Sequence, residues 1–355
     1  MKKSKKVLVS AILAALIFYL ISNDKDYKCK GEEVMQTQNN ICVDENEYEK
    51  SMEQIILPFI SQYESTGYFK GVDDVNLFYR KFELENPKAS IVIVHGFTEN
   101  TQIYNELIYY MLKQNYSVYI YDQRCHGASD RLSETYNMVY VKKFSDYTQD
   151  LKKFIDEIVP NSKLFLYGHS MGGAVVADFL ETYPDIANFA VLSAPMLQIF
   201  TKPYPPKIAN LYTEVENLIG ADKKYCPGHS DFDKDKHLND SVYKNYTRYI
   251  YFINFEAQHP QLITNGASFA WLKQSTLAIK KILNPENMEK IKTPCAMFQY
   301  ENDKTVMPSG QNKFASSVKT CKLYTIKDCE HNIYYMDNKI LSSYLQKIFE
   351  LFDAH

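Results

Sequence analysis

The sequence predicts an α/β protein whose core is a mostly parallel, doubly wound sheet with an inserted helical cap. Short apolar runs bounded by turn residues alternate with stretches of helical periodicity, as in parallel βαβ units. The alternation is interrupted by about ninety residues that are too many for a plain loop in a compact domain. One apolar run also passes directly through a glycine-flanked serine into a helical pattern.

Apolar spacing predicts the first elements of the sheet. A short helix over residues 51–63 leads into residues 75–84, which alternate between apolar and polar side chains like a half-buried strand. Residues 89–96 and 117–122 are apolar runs between turns, so both are predicted to be buried strands. The residues between them, 101–115, have apolar side chains at helical spacing and are predicted to form a helix.

The same alternation continues towards the C-terminus. Helices and strands in this order favour parallel strands joined by crossover helices. The remaining predicted elements are a helix over 144–159, a strand over 163–168, a helix over 172–184, strands over 188–195, 294–301 and 321–328, and a closing helix over 339–352.

The interruption at about residues 196–286 is interpreted as the cap. It carries Pro203, Pro205 and Pro206 and several short helical patterns. We expect it to cover the carboxyl edge of the sheet, where ligands bind in open parallel sheets.

The N-terminus has the pattern of a membrane anchor or signal sequence over residues 1–22. Four lysines precede an uncharged apolar run, and lysines next to such a run favour the cytoplasmic side. Residues 23–51 are predicted to be a polar stalk, and residues 52–355 the α/β domain with its cap. This reading predicts attachment to the membrane through one N-terminal segment, with the domain on the non-cytoplasmic side. Secretion after cleavage is the alternative.

The charge of the chain argues against nucleic-acid binding, and its cysteines bear on disulfide bonds and metal sites. The chain has 40 basic and 43 acidic residues and a formal net charge of −3, so no global positive field attracts nucleic acid. The seven cysteines are an odd number. An exported domain could join Cys29 to Cys42, and the alternative is that all seven are reduced. No cysteine or histidine spacing indicates a zinc site.

The segment GHSMGG, residues 168–173, joins the predicted strand 163–168 to the predicted helix 172–184. A serine in G-x-S-x-G between a strand and a helix is the setting of a nucleophile elbow, in which the hydroxyl is exposed at the top of the sheet. Glycines at this turn remove side chains that would clash. Ser170 is therefore the predicted nucleophile.

A serine hydroxyl needs a base, and the base needs an orienting acid, in the chain order Ser, Asp, His. Asp303 follows the strand over 294–301, and His331 follows the strand over 321–328. Both positions fall at the sheet edge where Ser170 emerges. Glu301 and Asp328 are alternatives for the acid.

Ester hydrolysis passes through an oxyanion that two backbone N–H groups can stabilise. Met171, directly after the serine, is predicted to supply one group. The turn in HGFTEN, residues 95–100, follows the strand over 89–96, and Phe97 is predicted to supply the second.

At these residues the chain resembles the α/β-hydrolase family that contains monoacylglycerol lipases and bacterial lysophospholipases of the inner-membrane type. The resemblance runs from about Phe69 to Phe352 and includes HGFTEN, YDQRCHGASDR, GHSMGG, FQYENDKTV and EHNIYYMDN. It implies an α/β-hydrolase fold, a serine hydrolase with an acyl-enzyme intermediate, and no metal or organic cofactor. Asp122, Arg124 and Arg131 are interpreted as structural.

Two further segments bear on substrate and on local geometry. The cap segment YCPGHSDF resembles the lysophospholipase cap, which implies lysophospholipid as the substrate, with monoacylglycerol lipase or general carboxylesterase activity as the alternative. Cys125 stands where the family usually has glycine, so the backbone of this turn is the feature in doubt.

Overall fold

The computed structural model describes residues 27–37, 39–200, 216 and 220–355 of the 355-residue chain. In this part of the chain, the strands form a nine-stranded sheet and a two-stranded ladder. In chain order the strands are β1 (Glu32–Glu33), β2 (Glu64–Lys70), β3 (Asn76–Phe82), β4 (Ser90–Val94), β5 (Ser117–Tyr121), β6 (Met138–Val139), β7 (Leu164–His169), β8 (Phe189–Ser193), β9 (Gly266–Ala267), β10 (Cys295–Tyr300) and β11 (Cys321–Ile326).

The large sheet has the order β1-β11-β10-β8-β7-β4-β5-β3-β2. β2, β3 and β5 pair antiparallel to one another in that order, and all other neighbouring strands are parallel. All residues of β4, β5, β7 and β8 are buried, as expected for apolar strands covered on both faces. The predicted fold class, a mostly parallel α/β sheet, is confirmed.

Helices flank this sheet. The α-helices of four or more residues in the described part are α1 (Tyr48–Ser51), α2 (Leu57–Ile60), α3 (Asn105–Lys113), α4 (Ser145–Ile158), α5 (Met171–Thr182), α6 (Lys234–Asp240), α7 (Thr247–Gln258), α8 (Phe269–Ile282), α9 (Pro285–Met288), α10 (Pro308–Ser317) and α11 (Asn338–Ala354). A single residue separates the end of β7 from the start of α5, so β7 and α5 together position the turn between them.

Helices α6, α7, α8 and α9 lie in the insertion between β8 and β10. Residues 201–215 and 217–219 of the predicted cap lie outside the described residues. The division of the chain into a domain and a cap over 196–286 stays a prediction. The described helices agree with its helical character.

The region predicted to be a stalk makes contacts with the rest of the chain. β1 pairs with β11 at the edge of the sheet. Glu45 Oε2 accepts a hydrogen bond from the Asn338 amide at 2.7 Å and lies 3.3 Å from Arg248 Nη1. Part of residues 23–51 is therefore held against the sheet through β1, and against α7 and α11 through the Glu45 carboxylate.

The localisation predicted from the N-terminal segment is wrong. Among the described residues, no helix has both the length and the apolar character that crossing a membrane requires. A spanning helix needs about 20 mostly apolar residues, whereas α11, with 17 residues, carries lysine, glutamate and aspartate side chains. The predicted anchor or signal sequence over residues 1–22 lies outside the described residues. The prediction of membrane attachment through this segment, with the domain on the non-cytoplasmic side, is therefore not supported.

The seven cysteines are free thiols in this structure, so Cys29 is not bonded to Cys42. The Cys42 thiol instead accepts a hydrogen bond from the Ser342 hydroxyl at 3.2 Å. Burial raises the pKa of Cys42 to about 11, which keeps it in the thiol form.

Candidate active site

Ser170 occupies the turn between β7 and α5 with φ of 51° and ψ of −115°. A positive φ is uncommon for a residue other than glycine and marks a strained backbone. The Ser170 amide donates to Ser193 O at 3.0 Å, and the Met196 amide donates to Ser170 O at 2.8 Å. The end of β8 and the residues after it therefore hold the strained turn in place.

The glycines that follow Ser170 allow an unusually close approach of α5 to its neighbours. A Cβ on Gly172 would lie 2.0 Å from Val94 O and 2.5 Å from His95 O. A Cβ on Gly173 would lie 2.8 Å from Pro195 Cβ. Any larger side chain at Gly172 would have to push α5 away from the end of β4.

The structure brings Ser170, Asp303 and His331 together. Ser170 Oγ lies 2.9 Å from His331 Nε2, and His331 Nδ1 lies 2.7 Å from Asp303 Oδ2. Each residue follows a strand, β7, β10 or β11, and these three strands are parallel within the sheet. Their carboxyl ends consequently share one edge.

Asp303 fixes the protonation pattern of this array. Burial by itself would raise the pKa of Asp303, but the hydrogen bond and charge of His331 outweigh burial and, with two backbone amides, hold the pKa below its ordinary value. The amides of Thr305 and Val306 donate to Oδ1 at 2.7 and 3.0 Å. An ionised Asp303 accepts from His331 Nδ1–H, which leaves Nε2 free to accept the Ser170 proton.

The two alternative acids lie elsewhere. Glu301 and Asp328 are both exposed, and the Asp328 amide donates to Glu301 Oε2 at 3.2 Å. The hydrogen-bonded carboxylate beside His331 is that of Asp303.

The turn after β4 is held by His95. The Gln123 amide donates to His95 Nε2 at 2.9 Å, so the ring proton is on Nδ1, which donates to Gly96 O at 2.7 Å. The Gly96 amide donates to Glu99 Oε2 at 2.5 Å. The next amide along the turn is that of Phe97, the predicted oxyanion donor.

Phe97 and Met171, the two predicted oxyanion donors, both lie near Ser170: Phe97 lines the same cavity as Ser170, and Met171 follows it in the chain. Met171 is the first residue of α5, a position whose amide has no partner within the helix. The Phe97 ring packs on the Trp271 ring of α8, with centroids 4.1 Å apart and planes at 35°. The insertion thus supports the turn that carries the Phe97 amide.

Glu99 is a buried acid to which the sequence analysis gave no role. Its carboxylate accepts hydrogen bonds from the hydroxyls of Tyr104, at 2.6 Å, and Tyr334. Burial would raise the pKa of Glu99, but the charge of His169 and these donors lower it to about 2. Glu99 is therefore ionised at neutral pH, next to the turn that follows β4.

His169 lies between Glu99 and the backbone of His331. Its Nδ1 lies 3.0 Å from Glu99 Oε1 and 2.7 Å from the Tyr334 hydroxyl, and its Nε2 lies 3.2 Å from His331 O. Both ring nitrogens of His169 therefore lie within hydrogen-bonding distance of oxygen atoms. The motifs HGFTEN and GHSMGG contain Glu99 and His169, but only the folded chain shows that the two residues meet.

A cavity of about 270 Å³ opens onto Ser170 and His331. This volume is close to the lower limit of the usual range for small-molecule sites. None of the described lining residues is lysine or arginine. The insertion and the segment after β11 supply most of the wall, including Tyr243, Tyr249, Phe252, Ile253, Glu256, Asn332 and Tyr335.

The sequence profile of the family described as Serine aminopeptidase, S33 (Hydrolase_4) matches residues 85–338. The chain belongs to this family. The matched range includes Ser170, Asp303 and His331.

Two curated relatives and one solved structure illustrate the similarity. This hydrolase is 26% identical over 302 residues to probable lysophospholipase L2 of Haemophilus influenzae, covering 82% of this chain and 93% of that protein. It is 26% identical over 301 residues to lysophospholipase L2 of Escherichia coli K12, covering 81% and 87%. The crystal structure of Paleococcus ferrophilus monoacylglycerol lipase shares its fold, with a TM-score of 0.61, 22% identity and coverage of 79% and 99%.

The predicted resemblance is confirmed by these matches. The chain is an α/β-hydrolase of the lysophospholipase and monoacylglycerol lipase group, and it is a carboxylic-ester hydrolase.

The three charged residues interpreted as structural in this hydrolase make contacts away from the Ser170 hydroxyl. They hold the loop after β5 to neighbouring segments. Asp122 Oδ1 accepts from the Thr101 amide at 2.7 Å, Arg124 donates to both oxygens of Asp150 at 2.7 and 2.8 Å, and Arg131 Nη1 donates to Thr264 Oγ1 at 2.8 Å.

Cys125, the departure from the family pattern, has a φ of 66°. That is a conformation that glycine adopts readily and other residues rarely. The buried thiol donates to Tyr140 O at 3.2 Å and accepts from the Leu132 amide at 3.2 Å. The hydrolase keeps the turn of a glycine here, and the thiol gains two local hydrogen bonds.

Proposed function

We propose that this hydrolase is a lysophospholipase that removes the acyl chain through an acyl-enzyme formed on Ser170. The observation that carries the proposal is the pair of hydrogen bonds from Ser170 Oγ to His331 Nε2, at 2.9 Å, and from His331 Nδ1 to Asp303 Oδ2, at 2.7 Å. The lysophospholipases of H. influenzae and E. coli, similar over most of their lengths, support the substrate class.

The first half of the reaction transfers the acyl group to the enzyme. His331 Nε2 takes the Ser170 proton as Oγ bonds to the ester carbonyl carbon. The resulting oxyanion accepts hydrogen bonds from the amides of Phe97 and Met171. His331 then gives its proton to the glycerol oxygen of the lysolipid as the ester C–O bond breaks.

The second half restores the serine. Water gives a proton to His331 Nε2 as its oxygen bonds to the acyl carbon, and the Ser170 oxygen leaves and recovers that proton. Free fatty acid is the product. Throughout both halves Asp303 holds the imidazole and stabilises its charged form.

Monoacylglycerol lipase activity is the second candidate. The described walls of the cavity offer no lysine or arginine to a phosphodiester, and a neutral glycerol ester does not need one. The similarity to monoacylglycerol lipase of Mycolicibacterium smegmatis also supports this candidate. The two sequences are 25% identical over 48% of this chain.

The proposal is tested with the wild-type chain and Ser170→Ala. We expect Ser170→Ala to lose at least about a thousandfold in kcat on a lysophospholipid. The exposed Ser317 supplies the matched control, since Ser317→Ala should keep wild-type turnover. Full turnover by Ser170→Ala would exclude this nucleophile.

The substrate class is tested by comparing lysophosphatidylcholine with a 2-acylglycerol of the same chain. We expect the higher kcat/KM for the lysophospholipid. A strong preference for the glycerol ester would favour the second candidate instead.

A further inference from the structure

One acid in the cavity has no part in the proposed chemistry. The buried face of α7 presents Tyr249, Phe252, Ile253 and Glu256, which are spaced as one helical face. Three of these positions are aromatic or aliphatic, and the fourth is a carboxyl. Glu256 is 5% exposed and lines the same cavity as Ser170 and His331.

Glu256 lacks the partners that a buried carboxyl normally has. In the part of the chain that the structure describes, it receives a single hydrogen bond, from Asn100 Nδ2 to Oε1 at the long distance of 3.5 Å. No described lysine or arginine forms an ion pair with it. A buried carboxylate without donors or a cation is unfavourable, so this position calls for a function.

Aromatic side chains line the same cavity as Glu256. Tyr243, Tyr249, Phe252 and Tyr335, here called the aromatic cluster, all line the cavity. The Tyr335 ring centroid lies 5.2 Å from that of Tyr243, 5.0 Å from Tyr249 and 6.2 Å from Phe252. Aromatic faces together with an anion form the environment that binds a quaternary ammonium group.

We propose that Glu256 and the aromatic cluster bind the ammonium group of a zwitterionic lysophospholipid head group, such as choline, while its ester lies at Ser170. This inference rests on the proposed function and names the substrate class that its cavity selects. The described walls contain no lysine or arginine, which fits a preference for head groups that carry an ammonium group over head groups that are only anionic. Glu256 is thus a specificity residue, distinct from the catalytic array.

The proposal makes binding depend on pH. Burial, with the charge of Glu99 adding to it, raises the pKa of Glu256 to about 8. The carboxyl is therefore neutral well below pH 8 and becomes an anion above it, so attraction for choline increases as pH rises. The other described titratable groups that line the cavity or act on Glu256 are Glu99, His237, Tyr243, Tyr249, His331 and Tyr335.

Kinetics with Glu256→Gln form the first test. The two substrates are lysophosphatidylcholine and monoacylglycerol with the same short acyl chain, both kept below their critical micelle concentrations. Choline keeps its charge at every pH, and the ratio of the two KM values cancels the titration of the catalytic array. We expect Glu256→Gln to raise KM for the choline lipid about tenfold at pH 8.5 and to change KM for monoacylglycerol less than about twofold.

The pH profile and a matched control separate charge recognition from a structural role. For the wild type, the ratio of KM for the choline lipid to KM for monoacylglycerol should fall from pH 6.5 to pH 9, and for Glu256→Gln it should stay flat. Asp235→Asn removes an exposed carboxylate from α6 and should behave as the wild type. Equal losses on both substrates would overturn the proposal in favour of glycerol binding or packing.

A binding measurement separates this inference from the proposed function. Ser170→Ala protein is titrated with phosphocholine and, in parallel, with glycerol 3-phosphate, and heat and proton release are measured at pH 7. Phosphocholine should bind with release of a proton from Glu256, and Ser170→Ala/Glu256→Gln should lose both signals. Wild-type protein that binds phosphocholine without hydrolysing lysolipid would refute only the lysophospholipase proposal. Binding that the double variant retains in full would refute the role of Glu256.

Discussion

Replacing Asp303 with asparagine should inactivate the enzyme by reversing the proton on His331. The Thr305 and Val306 amides donate to Asp303 Oδ1, so in Asp303→Asn the side-chain oxygen stays with those donors. The new NH₂ group then faces His331 Nδ1 at the 2.7 Å position of Oδ2. Nδ1 has to accept, which moves the ring proton to Nε2, facing Ser170 Oγ.

A protonated Nε2 cannot take the serine proton. We expect kcat to fall by about 10³ to 10⁴, equivalent to about 4 to 5.5 kcal/mol of transition-state stabilisation, as in the corresponding triad substitution. KM should change little because Asp303 does not contact substrate in the proposed mechanism. Stopped assays with a chromogenic short-chain ester, over a range of enzyme concentration, measure losses of this size.

Two matched variants make this test specific. Glu301→Gln and Asp328→Asn neutralise the exposed acids near the same strands, and neither side chain contacts His331. Both should retain kcat within about twofold of the wild type. The reasoning is refuted if Asp303→Asn turns over at the wild-type rate, or if either control loses as much as Asp303→Asn does.

Three further predictions follow from the packing. Gly172→Ala puts a Cβ 2.0 Å from Val94 O, where ordinary contact begins at 3.4 Å; the displaced serine should cost about a hundredfold in kcat, with circular dichroism showing a retained fold. At the 66° φ of Cys125, the β-branched Cys125→Val should lower the free energy of unfolding by about 2 kcal/mol or more in urea, whereas Cys125→Ser, which can keep both hydrogen bonds, should lose less than about 1 kcal/mol. Glu181 has both oxygens unpartnered among the described residues, and burial raises its pKa to about 9. Since the folded pKa of Glu181 is raised, the stability that this carboxyl contributes is lost as pH rises from about 4.5 to 9. The advantage of Glu181→Gln over the wild type should therefore grow by about 4 kcal/mol between pH 5 and pH 8 in urea melts. Equal pH profiles for the two proteins would contradict this.

The central strands could be predicted because their residues are buried on both faces. β4, β5, β7 and β8 are read from continuous apolar runs. β2 was missed because it is mostly polar and exposed and pairs only with β3 at the sheet edge. β1, with two residues, is too short to leave a pattern, and α10 has few buried side chains to mark one face.

The site shows the same division. Ser170, Asp303 and His331 each follow a recognisable strand, and parallel topology alone is enough to expect their strand ends at one edge. The meeting of Glu99 with His169 depends on side-chain directions that no spacing rule contains. Glu256 was missed because a single acid within an apolar helical face resembles an ordinary exposed position until the cavity beside it is seen.

The stacking of Phe97 on Trp271 limits how this enzyme can be re-engineered. A chimera that takes its cap from another hydrolase would lose the Trp271 ring but keep the Phe97 ring that Trp271 supports. Grafts should therefore exchange both aromatic residues as a unit. We expect natural changes of the cap to follow the same rule, so that a substitution at Trp271 is accompanied by a compensating substitution at Phe97.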